Sequence, residues 1–209
     1  MILKGLTWLV VLQLLGSVVH LSLVPALPAA YRRLHDGQSV RIGRHAWQVM
    51  VGHGHSPEHA ALYCAELDAL ISGDMVLPRI STNVAVLAIE PESNPVQQYV
   101  DSLARLGALP PATLVLPSHG KPFRGLHARI AQLCTHHRER LAEVEQACAT
   151  PQSAADIVPL MFRRELDAHQ ITFALGEALA HLHKLWFDGL LVRTAGPDGV
   201  VRFVAARVA

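Results

Sequence analysis

This chain is poor in charge, has no net excess of either sign and offers no paired cysteines. Only 17% of its 209 residues are charged, and 18 basic residues nearly cancel 17 acidic ones. A formal net charge of +1 gives no overall field for nucleic acid or for an anionic membrane. Hydrophobic residues make up 51%, which excludes wholesale disorder and leaves enough apolar surface for a sizeable core. The length suits one domain with an appendage, or two small domains. Cys64, Cys134 and Cys148 are odd in number and form no CxxC pair, which excludes a disulfide framework and a structural zinc knuckle. All three are expected to be buried, inert thiols. No internal repeat and no low-complexity segment is present.

Histidine is what the chain has in abundance, with 13 residues. Neutral imidazole is the commonest side-chain metal ligand, so the count points to a metal site without locating it. Three short signals narrow the search: Gly54-His55-Ser56-Pro57-Glu58-His59, Ser72-Gly73-Asp74 and Pro117-Ser118-His119-Gly120. Each sets a candidate ligand (His55, Asp74 or His119) in a loop beside an apolar, strand-like run. A neighbouring glycine lets the backbone turn sharply at each. Imidazole and carboxylate suit zinc and similar divalent ions, and one Asp can bridge two of them.

The amino terminus carries an apolar run, Leu6 to Val24, broken by Gln13 and His20 and preceded by Lys4. Its length is marginal for a membrane span, which takes roughly 20 apolar residues. Three readings stay open: a signal or anchor, a buried strand-helix segment of the domain, or a non-native start. Export or membrane anchoring follows from the first and a cytoplasmic location from the third.

Beyond it, turn signals at His35-Asp36-Gly37 and Gly43-Arg44-His45 predict a hairpin over 33–51. Ala60–Cys64 and Ala69–Ile71 read as strands, and Asn94-Pro95 opens a helix with Val96, Val100 and Leu103 on one face. Thr113–Leu116 is a short strand. From Leu126 a long helix carries Ile130, Leu133, Cys134, Leu141, Val144 and Cys148 on one stripe, with Arg138, Glu139 and Arg140 facing water. A boundary is expected near Thr150-Pro151. After it come a helix capped by Ser153, a helix from Asp167 whose stripe includes Ile171, Leu175, Leu182 and Leu185, and a hairpin around Gly196–Gly199. That order describes a winged-helix-like module. The expected division is therefore 1–30, 31–150 and 151–209.

GHSPEH, then LISGDxVLPRISxN, then VLPSHGxPF resembles the metallo-β-lactamase-fold hydrolases, in the branch with a carboxy-terminal winged-helix extension. HHRERL at 136–141 and FALGEALAHL at 173–182 are similar to that branch too. The resemblance implies part of an αββα sandwich, of the α/β (α+β) class, followed by the extension. It implies that His55 ligates a first metal ion, that Asp74 is the bridging carboxylate and a catalytic residue, and that His119 ligates a second ion, zinc being the expected metal. The implied reaction is attack of metal-bound hydroxide on an ester, thioester or related bond of a small molecule. The family's leading HxHxDH motif, source of four further ligands, has no counterpart here; His20, His35 and His45 lack its spacing. The resemblance therefore also implies impaired catalysis. A non-catalytic remnant acting by binding and an RNA-acting nuclease of the same fold are the alternatives.

The remaining polar residues are read as structural. His59 is expected to pack beside its loop, and His136 and His137 to point to different helix faces. His181 and His183, two apart on a helix, cannot chelate one ion together. Glu177 and Arg138 are expected in ion pairs or caps. The extension has no cluster of Lys and Arg for phosphates, so packing or dimer formation, rather than nucleic-acid binding, is its expected role.

Overall fold

Five short strands form one sheet, and their order in space is their order in the chain. They are β1 (Ser39–Ile42), β2 (His45–Gly52), β3 (His59–Cys64), β4 (Ala69–Gly73) and β5 (Leu114–Pro117). The computed structural model describes residues 30–206, so the apolar run and its three readings lie outside the described residues. The chain divides between Arg33 and Leu34, and the architecture here is that of the part from Leu34 onward.

Strands β1 to β4 pair antiparallel, β1–β2 and β3–β4 through short turns and β2–β3 through the loop 53–58, whereas β4 and β5 run parallel. A parallel pair needs a crossover, and helix α1 (Pro95–Leu106) supplies it. Asn94 caps that helix by accepting the Gln97 amide, with Pro95 in the first turn, where its missing N–H costs nothing. Its buried stripe is Val96, Tyr99, Leu103 and Leu106. The expected Val100 is only half-buried, because Tyr99 takes the inward position at this spacing.

Successive strand residues go to opposite faces. Ala61, Leu70 and Val115 enter the main core with α1 and the next helix, α2 (Leu126–Ala147). Trp47, Cys64 and Ala69 form a smaller cluster on the other face, edged by half-buried Val40, Leu62 and Ile71. Strands β2, β3 and β4 thus each feed two packing layers, in a fold of the mixed α/β class expected.

Helices α3 (Ala154–Met161) and α4 (Ala168–Phe187) each begin with a capping box, Ser153 with Asp156 and Asp167 with Gln170. Strands β6 (Leu191–Ala195) and β7 (Val201–Ala205) close the chain as a hairpin. Helix α2 serves two cores. Its first half gives Leu126, Ile130 and Leu133 to the sheet, while Val144 and the following Cys148 join Ile157, Leu182 and Phe203 in a second core.

Several expected exposures change in three dimensions. Ile171 and Leu175 are 44% and 37% exposed, since the first turns of α4 extend beyond the core that buries Ala174 and Ala178. Cys134 is half-buried rather than sealed. Arg140 is half-buried, not solvated; it pairs with Glu143 at 2.7 Å, and its Nε has no partner. Glu177 is buried and makes no ion pair among the described residues; burial raises its pKa to about 7.

His137, His181 and His183 are core residues. The His181 Nδ1–H donates to the Glu177 carbonyl at 2.8 Å, which leaves Nε2 to accept from His137 Nδ1–H at 3.3 Å. The two rings stack, and the His137 Nε2 lone pair is sealed without a partner. Burial depresses their pKa values, to about 3 for His137 and about 4 for His181. His183 is also buried and donates from Nδ1 to the Ser93 carbonyl at 3.0 Å.

Candidate active site

The loops that leave β2, β4 and β5 meet at one end of the sheet. The parallel pairing sets Gly73 beside Pro117, so Asp74 and Ser118 leave the sheet together. His55 arrives from the loop between β2 and β3. The three candidate ligands, far apart in sequence, are therefore assembled by strand register.

Asp74 is the centre. His55 Nε2 lies 3.4 Å from its Oδ2 and His119 Nε2 lies 3.6 Å from its Oδ1, one imidazole per carboxylate oxygen. Ser118 Oγ donates to Oδ1. The Asp74 backbone is held as well: its N–H donates to His59 Nε2 at 3.1 Å, and its carbonyl accepts the Thr82 hydroxyl. His55 Nδ1–H donates to the Asn83 carbonyl at 2.9 Å. That bond fixes the tautomer and leaves the Nε2 lone pair facing a carboxylate oxygen. Two acceptors face each other stably only with a proton or a cation between them.

His59 packs beside the loop, as expected, but it does more than fill space. Its ring lies where a Cβ on Gly73 would stand, and Gly73 has φ 54°, so glycine is required there on both counts. Burial is the main cause that lowers the His59 pKa, with neighbouring His55 adding to it. His53 belongs to none of the three sequence signals. Its Nδ1–H donates to the Pro57 carbonyl at 2.6 Å and its amide to Ser102 Oγ, bracing the loop against α1. The spacing His53-Gly54-His55 was the available signal.

In kind, the donors suit a divalent ion; in number they fall short. Zinc takes four protein ligands in structural sites and three in catalytic ones. Here the donors stand in twos about Asp74, and among the described residues no group of three His, Cys, Asp or Glu side chains is placed to hold a metal ion. The residues present do not complete a metal site by themselves.

Beside His119 opens a cleft of about 500 Å³, walled by Pro78–Ile80 on one side and by His119–Phe123 on the other. That is the size of a small-molecule site. A second void, between β2 and α1, has about 10 Å³ and is too small for a ligand.

The description Metallo-beta-lactamase superfamily matches residues 13–119, and Metallo-beta-lactamase-like, C-terminal domain matches residues 141–206. Among solved structures the chain is similar to a beta-lactamase domain protein from Burkholderia ambifaria. The two are 62% identical, with a TM-score of 0.86 over 89% of this chain and 56% of that one. A metallo-beta-lactamase family protein from Thermus thermophilus is 30% identical, with a TM-score of 0.76 over 86% of this chain and 56% of the other. A curated relative from Roseobacter denitrificans, named hydroxyacylglutathione hydrolase, is 29% identical over 163 residues, which are 75% of this chain and 59% of the relative. The chain spans about half the length of the curated relatives it matches, 49% in one case and 59% in another.

Proposed function

The chain belongs to the metallo-beta-lactamase superfamily, whose members bind divalent metal ions such as zinc, and on that premise we propose that it carries part of a hydrolase centre acting on a small-molecule ester or thioester. The observation that carries this reading is Asp74 with one imidazole nitrogen facing each carboxylate oxygen. His55 and His119 would hold the metal with Asp74, and a bound ion would supply an activated water and stabilise oxyanion charge. The chain's own residues do the positioning. Asn83 orients His55, Ser118 and His59 hold the carboxylate and its backbone, and the cleft beside His119 receives the substrate. The relative named hydroxyacylglutathione hydrolase supports a small acyl substrate.

The donor count favours a second reading, a remnant that binds substrate without turning it over. Among the described residues, no helix is long and apolar enough to cross a membrane. We read 151–209 as the winged-helix-like extension, supported by the match to the C-terminal domain description and by the second core.

The test is hydrolysis of a chromogenic ester and a thioester by the purified chain with zinc added. The hydrolase reading expects weak turnover that is lost in Asp74→Ala. Substrate binding without turnover, unchanged by zinc, establishes the remnant instead.

A further inference from the structure

Arg79 and Lys121 stand on facing walls of the cleft beside His119, and neither has an ion-pair or hydrogen-bond partner among the described residues. Both are exposed. Some cations of this chain are answered by carboxylates, as Arg105 is by Asp36, Arg193 by Glu92, Arg202 by Asp198 and Lys184 by Asp188; Arg79 and Lys121 are not. No acidic residue lines the cleft. Two unanswered cations and an imidazole therefore share one concavity in a chain whose overall charge is nearly balanced.

The walls are built in advance of any ligand. Arg129 on α2 donates from Nε to the Leu77 carbonyl at 2.6 Å and from Nη2 to the Ile80 carbonyl at 2.8 Å, which clamps the segment bearing Arg79 at both ends. The opposite wall is tied to β5 by paired backbone bonds between Phe123 and Val115 at 2.8 and 3.0 Å. The walls touch where Gly120 meets Pro78, so closely that a Cβ at 120 would stand 2.7 Å from the proline ring. Between them lies apolar surface, with Ile80 61% exposed. A concavity with an apolar middle and convergent polar groups at its edge is how small-ligand sites are made.

We propose that this cleft selects an anionic acyl substrate: Arg79 and Lys121 bind a carboxylate or phosphate at its far end, Ile80 and Phe123 cover the hydrocarbon between, and the scissile bond lies at His119. This deepens the reading of Asp74 and its histidines as a hydrolase centre and rests on it for the word substrate, but not for the binding itself. Guanidinium and ammonium bind carboxylate and phosphate through charge-assisted hydrogen bonds. A carboxylate would belong to the acyl chain and a phosphate to the leaving group.

Binding followed by NMR titration tests it, because the readout does not need turnover. The probes are 5-phenylvalerate, phenyl phosphate and the uncharged 5-phenylpentanamide, with shifts read at the His119 ring and the Ile80 methyls. At least one anion is expected to bind about tenfold tighter than the amide, weakening with salt. Arg79→Gln and Lys121→Gln are expected to cost about fivefold each, and the double variant to abolish the preference. Preference for the carboxylate assigns the anion to the acyl side, and preference for the phosphate to the leaving group. Equal binding of the amide, or an anion preference that survives in the double variant, overturns the proposal. If the anion binds and no ester is turned over, the cleft stands and the hydrolase reading fails. If neutral and anionic esters are turned over equally, the hydrolase reading stands and the anion subsite fails.

Discussion

His55 Nε2 faces Asp74 Oδ2 at 3.4 Å while its other ring nitrogen is committed to the Asn83 carbonyl. An acceptor pointed at an acceptor is a costly contact unless something positive lies between. Asp74→Asn removes the need for a positive charge at that contact, because an amide can donate to the imidazole. The expected outcome is a higher thermal midpoint in the presence of chelator, by a few degrees, together with loss of zinc-dependent stabilisation. Differential scanning fluorimetry with EDTA and with zinc reads both arms.

His59→Phe keeps the ring volume but removes the acceptor of the Asp74 N–H. A buried donor left unpaired costs about 1–3 kcal/mol, so the variant is expected to unfold at lower denaturant with an unchanged m-value. Gly73→Ala should cost at least as much, because the new methyl meets the His59 ring at a positive φ. Urea unfolding of both variants measures this.

Tyr99 donates from its hydroxyl to the Met75 carbonyl at 2.9 Å, tying α1 to the residue that follows Asp74. Burial raises its pKa to about 12, so the donor persists at every working pH. Tyr99→Phe leaves that carbonyl unpaired at a cost of about 1–2 kcal/mol. Amide hydrogen exchange of the 74–83 loop is expected to speed up while β2 and β3 stay protected.

Two buried groups of opposite sign make stability depend on pH between about 4 and 7. His137 and His181 have folded pKa values of about 3 and about 4, below the ordinary value of 6.5. The unfolded chain then binds more protons, and stability is lost as pH falls from about 6.5 toward those values. Glu177 has the opposite sign: raised to about 7 from 4.5, it favours the fold at low pH and loses that contribution as pH rises from about 4.5 to 7. Glu177→Gln should therefore gain stability over wild type as pH rises through that window, and His137→Leu should flatten the acid limb. Unfolding free energy measured from pH 4 to 8 checks both signs.

Much of the sheet was legible because it depends on local chemistry. Glycine turns, an Asn-Pro helix start and the Ser153 cap fall where the sequence places them. Asp74, His55 and His119 were readable as an ordered set, and the structure brings both histidines to Asp74. The misreadings came from partners far away in the chain. Val100 yielded to Tyr99 because the fold, not the period alone, chose the inward face. Arg140 was read as solvated and Glu177 as an ion-pair or capping residue, because nothing in the sequence says that α4 covers that part of α2. His137 and His181, 44 residues apart, meet only in the packed structure. The cleft at Arg79 and Lys121 was invisible for the same reason, since two loops must fold onto each other to make it.

Among the described residues, His55, Asp74 and His119 are donors of the right kind for a divalent ion and too few to complete its site. Elemental analysis of the purified 209-residue protein, dialysed against micromolar zinc, tests it most directly. Less than one zinc per chain, weakly held, is expected, and none in Asp74→Ala. Two tightly bound ions per chain, or residual zinc unaffected by Asp74→Ala, would contradict it.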